Sequence, residues 1–126
     1  MEFASHHRFA DGFRLTRPLM VWCSVNYMRD GRDFLDPRAS PLLADDLSGL
    51  PPAHILTAGF DPLQDEGKAY AERLRAAGVH VHHDHYPDMI HGFIGMTGML
   101  DTSREALAAA GLHLGNCLRI PTGRPV

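Results

Sequence analysis

The most constraining stretch runs from residue 53 to residue 86: AHILTAGF, then DPLQDEGKAYAERLRAAG, then VHVHHDHY. The first piece is a short apolar run bounded by Pro52 and Gly59, which suits a buried strand. The second places Leu63, Gly67, Tyr70, Leu74 and Ala77 on one helical face, with Gly78 free to take the left-handed position that ends a helix. The third alternates as a strand does and meets Pro87, which is expected to end it. A strand, a helix and a strand within about 30 residues match a right-handed crossover unit. The fold class is therefore α/β, with the strands at 53–60 and 79–86 parallel and adjacent and the helix between them at 62–77.

The flanks are less regular. Residues 1–15 lack clean periodicity and read as a lead-in loop. A helix is expected over 16–28, with Thr16 as its N-cap and Pro18 in the first turn, where a missing N–H costs little. Leu19, Met20, Trp22, Cys23 and Tyr27 form its apolar side and are expected to pack in a core. Residues 29–52 are rich in Pro, Asp and Gly and read as a connection with short helical turns. A link of this length is unusual inside one small domain and suits a segment crossing a larger surface. A loop over 87–101 precedes a last helix at 102–119. Thr102 or Ser103 is placed to cap that helix, and Leu107, Ala110, Leu114 and Leu118 are expected to form its buried stripe. The tail, 120–126, is expected to fray.

Composition removes several function classes. The net charge of −3 gives no electrostatic footing for nucleic acid or an anionic membrane. No apolar run approaches the roughly 20 residues of a membrane span, and the first residues lack the apolar core of a secretory signal. Cys23 and Cys117 form neither a disulfide framework nor a CxxC site, so both thiols are expected to be reduced and packed, in a cytoplasmic chain.

Chemistry in an open parallel sheet collects beyond the carboxyl ends of its strands. Asp61 follows the first strand and His91 the second. Adjacent parallel strands would bring these loops together, as a carboxylate holding an imidazole by its Nδ1–H requires. Gly92 would let the chain turn tightly beside the ring. Asp61 is equally suited to start the helix after Pro62, and Asp65 and Glu66 read as first-turn acids that favour the helix dipole. Four further histidines, His80, His82, His83 and His85, divide between the two faces of the second strand. Two neighbours on one face supply only part of a zinc site, His82 with Asp84 being the best such pair. His54 reads as a core or rim residue. No metal site is expected.

The stretch DPRASPLLADDLSGLPPAHILTAGFDPLQDEGKAYAERLRAAGV, followed by YPDMIHGF, resembles the C-terminal part of the hormone-sensitive-lipase-like α/β-hydrolases, many of them bacterial carboxylesterases acting on short acyl esters. The resemblance covers about residues 10–119 and rests on SPLLA, LPPA, GFDPL, DEG and HGF in that order. It implies that Asp61 is the acid and His91 the base of a catalytic triad. It implies no cofactor. Gln64 stands where many relatives carry a basic residue, which implies at most a lost surface ion pair. Met89, Ile90 and Phe93 lie near the base and are candidate substrate-pocket residues.

The same resemblance exposes a gap. Such a hydrolase places a G-x-S-x-G nucleophile elbow and an HGGG-type oxyanion loop ahead of the acid and base. Neither motif occurs here, and none of the five serines has glycines on both sides at that spacing. The expectation is a partial α/β-hydrolase domain holding acid and base without a nucleophile, inactive alone and marginally stable. Its partner would be a short-chain acyl ester once the domain is completed, and its exposed strand edge would invite association. The alternative is a non-catalytic remnant or binding module whose strand histidines sense pH or metal.

Overall fold

Strands β1 (Ala53–Phe60) and β2 (Val81–Ile90) pair in parallel, with His54 opposite His82 and Ala58 opposite Tyr86. The computed structural model describes residues 2–118, which divide into two units on either side of the His91–Gly92 bond; the tail at 120–126 lies outside the described residues. The sheet belongs to the first unit. Pro87 does not end β2, which runs on to Ile90. The next pair after Ala58 with Tyr86 is Phe60 with Ile90, so Pro87, Asp88 and Met89 lie opposite Gly59 alone. A proline is tolerated in such a bulge because no ladder bond there needs its missing N–H. Only glycine fits opposite it: a Cβ on residue 59 would lie 1.8 Å from the Pro87 carbonyl oxygen.

Helix α3 (Gln64–Ala76) joins the strands. It starts two residues later than its sequence pattern suggests, because residues 61–63 form a turn closed by the Gln64 N–H donating to the Asp61 carbonyl at 3.0 Å. Its end is a Schellman motif. Val79 N–H donates to the Leu74 carbonyl and Gly78 N–H to that of Arg75, each at 3.0 Å, with Gly78 at φ 81°. The same turn brings Leu74 and Val79 together with Leu47 in a small buried cluster. Leu47 comes from the long connection, which the Arg73 guanidinium also pins by donating to the carbonyls of Leu42 and Ala44.

The lead-in is not all loop. Helix α1 (Ala4–Arg8) lies within it and is clasped to the first turn of α3. The buried Ser5 hydroxyl donates to the Pro62 carbonyl at 2.6 Å, and the Ser5 N–H donates to Asp65 Oδ2 at 2.9 Å. Asp65 is thus a structural anchor as well as a first-turn acid. Phe13 stacks on Phe60 at 5.1 Å and Phe9 meets the same ring edge-on, which ties the lead-in to the end of β1.

Helix α2 (Arg17–Tyr27) begins at Thr16, whose Oγ1 accepts from the Leu19 N–H at 3.4 Å. Its apolar side does not pack in a core. The helix has no buried residue, Trp22 is 62% and Tyr27 76% exposed, and Cys23 is exposed rather than packed. Amphipathic spacing fixes which residues share a face but not what covers that face.

The connection from 29 to 52 holds 3₁₀ turns at Gly31–Leu35 and Pro41–Leu43. Three ion pairs brace its first half, Arg29–Asp33 and Arg32–Asp30 at 2.9 Å and Arg38–Asp36 at 2.6 Å. The hydrogen bond from Arg38 holds the Asp36 carboxyl down to about 2, and those from Arg29 and Arg32 lower Asp33 and Asp30. A carboxyl depressed on folding stabilises the folded form above its unfolded value, and that contribution is lost as pH falls through the folded value. These braces are therefore expected to hold above pH 3.8 and to release toward pH 2. Because the arginine partners are exposed, the effect is local. The check is limited proteolysis by an acid-active protease, with cleavage in 29–40 rising below pH 3 in wild type and already rapid at pH 4 in Asp36→Asn.

The second unit carries a 3₁₀ turn at Phe93–Gly95 and helix α4 (Asp101–Leu118). The helix starts at Asp101, so Ser103 lies inside it rather than at its cap. The fully buried Ser103 hydroxyl donates to the Phe93 carbonyl at 2.6 Å. Ser103 and Ala106 are the buried residues of this helix, whereas Leu107, Leu114 and Leu118 are exposed, against the expected buried stripe. Cys117 is exposed as well. No helix among the described residues is long and apolar enough to cross a membrane.

Candidate functional site

The ends of β1 and β2 place Asp61 and His91 side by side. His91 Nδ1–H donates to Asp61 Oδ2 at 2.9 Å. The carboxylate accepts, so the proton sits on Nδ1 and the lone pair of the neutral ring on Nε2. The other oxygen, Asp61 Oδ1, accepts the Leu63 N–H at 2.9 Å. The sequence left Asp61 open to both roles, helix start and imidazole partner, and the side chain holds the ring and the turn that leads into α3, whose N-cap is Leu63. Asp61 is buried, while the His91 side chain is 39% exposed and so open to a reactant.

Neighbouring backbone fixes the pair. Gly92 sits at φ 71°, in the left-handed region that favours glycine, and turns the chain directly after the ring. Arg14, also left-handed at φ 66°, directs its guanidinium to the His91 carbonyl at 3.4 Å. Gln64 is buried, not a surface residue short of an ion pair. Its Nε2 donates to the carbonyls of Ala58 and Gly59 at 3.1 and 2.8 Å, which binds the first turn of α3 to the end of β1. Sequence reading missed this role because a buried amide and an exposed one look alike in a string.

A cleft of about 350 Å³ opens beside the pair, with Leu42, Leu56, Leu63 and Tyr70 among its walls. Met89 and Ile90, named from the sequence as pocket candidates with Phe93, are not among its lining residues. Met89 and Ile90 are half-buried residues of β2, and Phe93 is buried. Three of the five serine hydroxyls are committed within their own units, those of Ser5 and Ser103 to carbonyls and that of Ser48 to Asp46. Among the described residues, no hydroxyl or thiol is hydrogen-bonded to His91 Nε2.

The remaining strand histidines fall into two groups. On one face Thr57 Oγ1 bridges His83 Nε2 and His85 Nδ1 at 2.9 and 3.0 Å. Burial, aided by the charges of Arg75 and Lys68, pushes His83 below the ordinary imidazole value, and burial and Lys68 do the same to His85. Neutral rings suit a hydroxyl that donates to one and accepts from the other. On the opposite face Asp84 sits between His54 and His82. Burial pushes the Asp84 carboxyl up, but the hydrogen bond from His54 and the His82 and His54 charges together outweigh it, and the carboxyl lies below its usual value.

Comparison with known proteins gives a consistent picture. The family model for the alpha/beta hydrolase fold matches residues 1–95. The carboxylic ester hydrolase LipN of Mycobacterium tuberculosis is 45% identical over 111 residues, covering 84% of this chain and 30% of that protein. An arylesterase of Saccharolobus solfataricus is 40% identical over 111 residues, covering 87% of this chain and 35% of the relative. Among solved structures, EstE1, a thermostable carboxylesterase cloned from a metagenomic library, superposes with a TM-score of 0.90 at 38% identity, covering 95% of this chain and 41% of that one. The chain therefore spans from about a third to two-fifths of the length of these relatives.

Proposed function

The chain belongs to the α/β-hydrolase fold family, in its hormone-sensitive-lipase-like branch, and from that premise we propose that it is the acid–base portion of a serine carboxylic-ester hydrolase. Asp61 is the triad acid and His91 the triad base in this reading. The observation that carries it is the 2.9 Å bond from His91 Nδ1 to a buried carboxylate, with the rest of the ring left open. The nucleophilic serine and the oxyanion hole come from residues beyond these 126, supplied in the same or another chain.

The chemistry follows from the geometry. His91 Nε2 removes the proton from the serine hydroxyl as its oxygen bonds to the ester carbonyl carbon. When the tetrahedral intermediate collapses, the bond to the alkoxy oxygen breaks and Nε2 returns that proton to the departing alcohol. Water then attacks the acyl-serine with the same ring as base, the acyl–Oγ bond breaks to release the carboxylic acid, and Nε2 returns the proton to the serine oxygen. Asp61 stays ionised throughout, holding the tautomer and stabilising the imidazolium. Short acyl esters are the proposed substrates. The exposed apolar residues of α2 and α4 support the reading, because the rest of a hydrolase domain would cover them.

The test is hydrolysis of a short-chain chromogenic ester. The chain alone is expected to match the buffer blank. Mixing it with the amino-terminal portion of a relative that carries HGGG and GxSxG is expected to produce turnover. Turnover by the chain alone that disappears in His91→Ala would overturn the need for an outside nucleophile. Absence of turnover in every mixture that forms a complex would overturn the hydrolase reading.

A further inference from the structure

Strand spacing alone brings only His82 and Asp84 together, but the parallel register adds a third group. His54 pairs with His82 across the ladder, and the two ring centroids lie 5.0 Å apart. Asp84, two residues beyond His82 and on the same face, turns one oxygen to each ring. His54 Nε2 is 2.9 Å from Oδ2 and His82 Nε2 is 3.0 Å from Oδ1. We infer that His54, His82 and Asp84 form a binding site for one divalent transition metal ion of the zinc class. Two imidazoles and a carboxylate are a donor set that zinc accepts in open, three-ligand sites. The donor atoms lie within 4.8 Å of one another. A tetrahedral zinc needs them about 3.3 Å apart, with each roughly 2 Å from the metal. Side-chain rotation within rotamer wells, on strands fixed by their ladder, closes that difference. The groups are also reachable, with His82 44% and Asp84 30% exposed, while His54 at 13% gives the site a fixed wall.

The site is separate from the hydrolytic pair. His54 is the second residue of β1, whereas Asp61 follows its last. Seven residues of strand at about 3.3 Å each put on the order of 20 Å between them. The metal therefore takes no part in ester chemistry. It would instead clamp the amino-terminal half of the strand pair, because it binds the folded register and not the unfolded chain.

The test uses the 126-residue chain without a histidine tag, titrated with zinc(II) against a chromophoric chelator. One equivalent is expected to bind. Affinity is expected to fall at least tenfold in His82→Ala and in Asp84→Asn, and to stay unchanged in His80→Ala. Equal binding in wild type and His82→Ala, or an equal loss in His80→Ala, would overturn the assignment. Because an alanine variant can fail through misfolding, His82→Cys is loaded with cobalt(II) as a second probe. A thiolate-to-cobalt charge-transfer band in the near ultraviolet that cobalt-loaded wild type, with its exposed Cys23 and Cys117, does not show supports the site, and its absence from the cobalt-loaded variant rejects it.

Discussion

His91→Ala, measured in the mixture that restores ester turnover, is expected to lower kcat on the order of 10⁶-fold with little change in KM. In the proposed reaction the imidazole acts in the transition state and touches the bound ester little before it, so its loss would appear in the rate and not in binding. Asp61→Asn is expected to cost about 10⁴-fold, because an amide at 2.9 Å from Nδ1 can favour the tautomer that leaves a proton on Nε2. The two variants make different folding predictions, which separates chemistry from collapse. The His91 side chain is partly exposed, so its truncation should leave the unfolding midpoint of the mixture nearly unchanged. Asp61→Asn keeps an oxygen for the Leu63 N–H but makes that acceptor neutral, so the variant should unfold somewhat earlier. A loss below tenfold in His91→Ala would remove this residue from the reaction.

Gly59→Ala is expected to be the most damaging single substitution for the fold, costing more than about 3 kcal/mol. The added Cβ would sit 1.8 Å from the Pro87 oxygen, 2.5 Å from its carbonyl carbon and 2.7 Å from its Cα. All three are main-chain atoms, so no side-chain rotation relieves the overlap. The strands must part at the bulge, just before the residues that carry Asp61 and His91. Urea unfolding followed by circular dichroism is the measurement, with Gly31→Ala as control, since a Cβ there meets nothing within 4 Å. A shared midpoint for the two variants would show that the bulge yields more readily than its geometry implies. Restored turnover in the Gly59→Ala mixture is expected to fall along with stability.

The sequence carried the strand–helix–strand order clearly because three signals agreed there: apolar runs, a helical face, and glycine and proline at the breaks. The nearness of Asp61 and His91 followed from the same order, since parallel neighbours align their carboxyl ends. Other features were hidden for physical reasons. The periodicity of α2 and α4 was read as core, yet Trp22 and Leu114 are exposed, because a one-dimensional pattern shows a face without its partner. His54 and Asp84 lie 30 residues apart and meet only through the strand register. Helix α1 has five residues, too few for a period to show, and is held by the Ser5 bonds to Pro62 and Asp65. Pro87 looked like a strand end because the bulge that accommodates it depends on Gly59 in the other strand.

Both oxygens of Asp61 are committed, one to the Leu63 N–H and one to the His91 ring. A carboxylate on a flexible loop would lose torsional freedom each time it met a charged imidazole, and that entropy would add to the barrier. Here the turn that starts α3 has already taken that freedom away during folding. Rotating the group to suit the ring is neither needed nor possible without breaking the turn. In the proposed reaction the alignment of acid and base is therefore set once, with the first turn of the helix, and would not have to be found again for each molecule of ester.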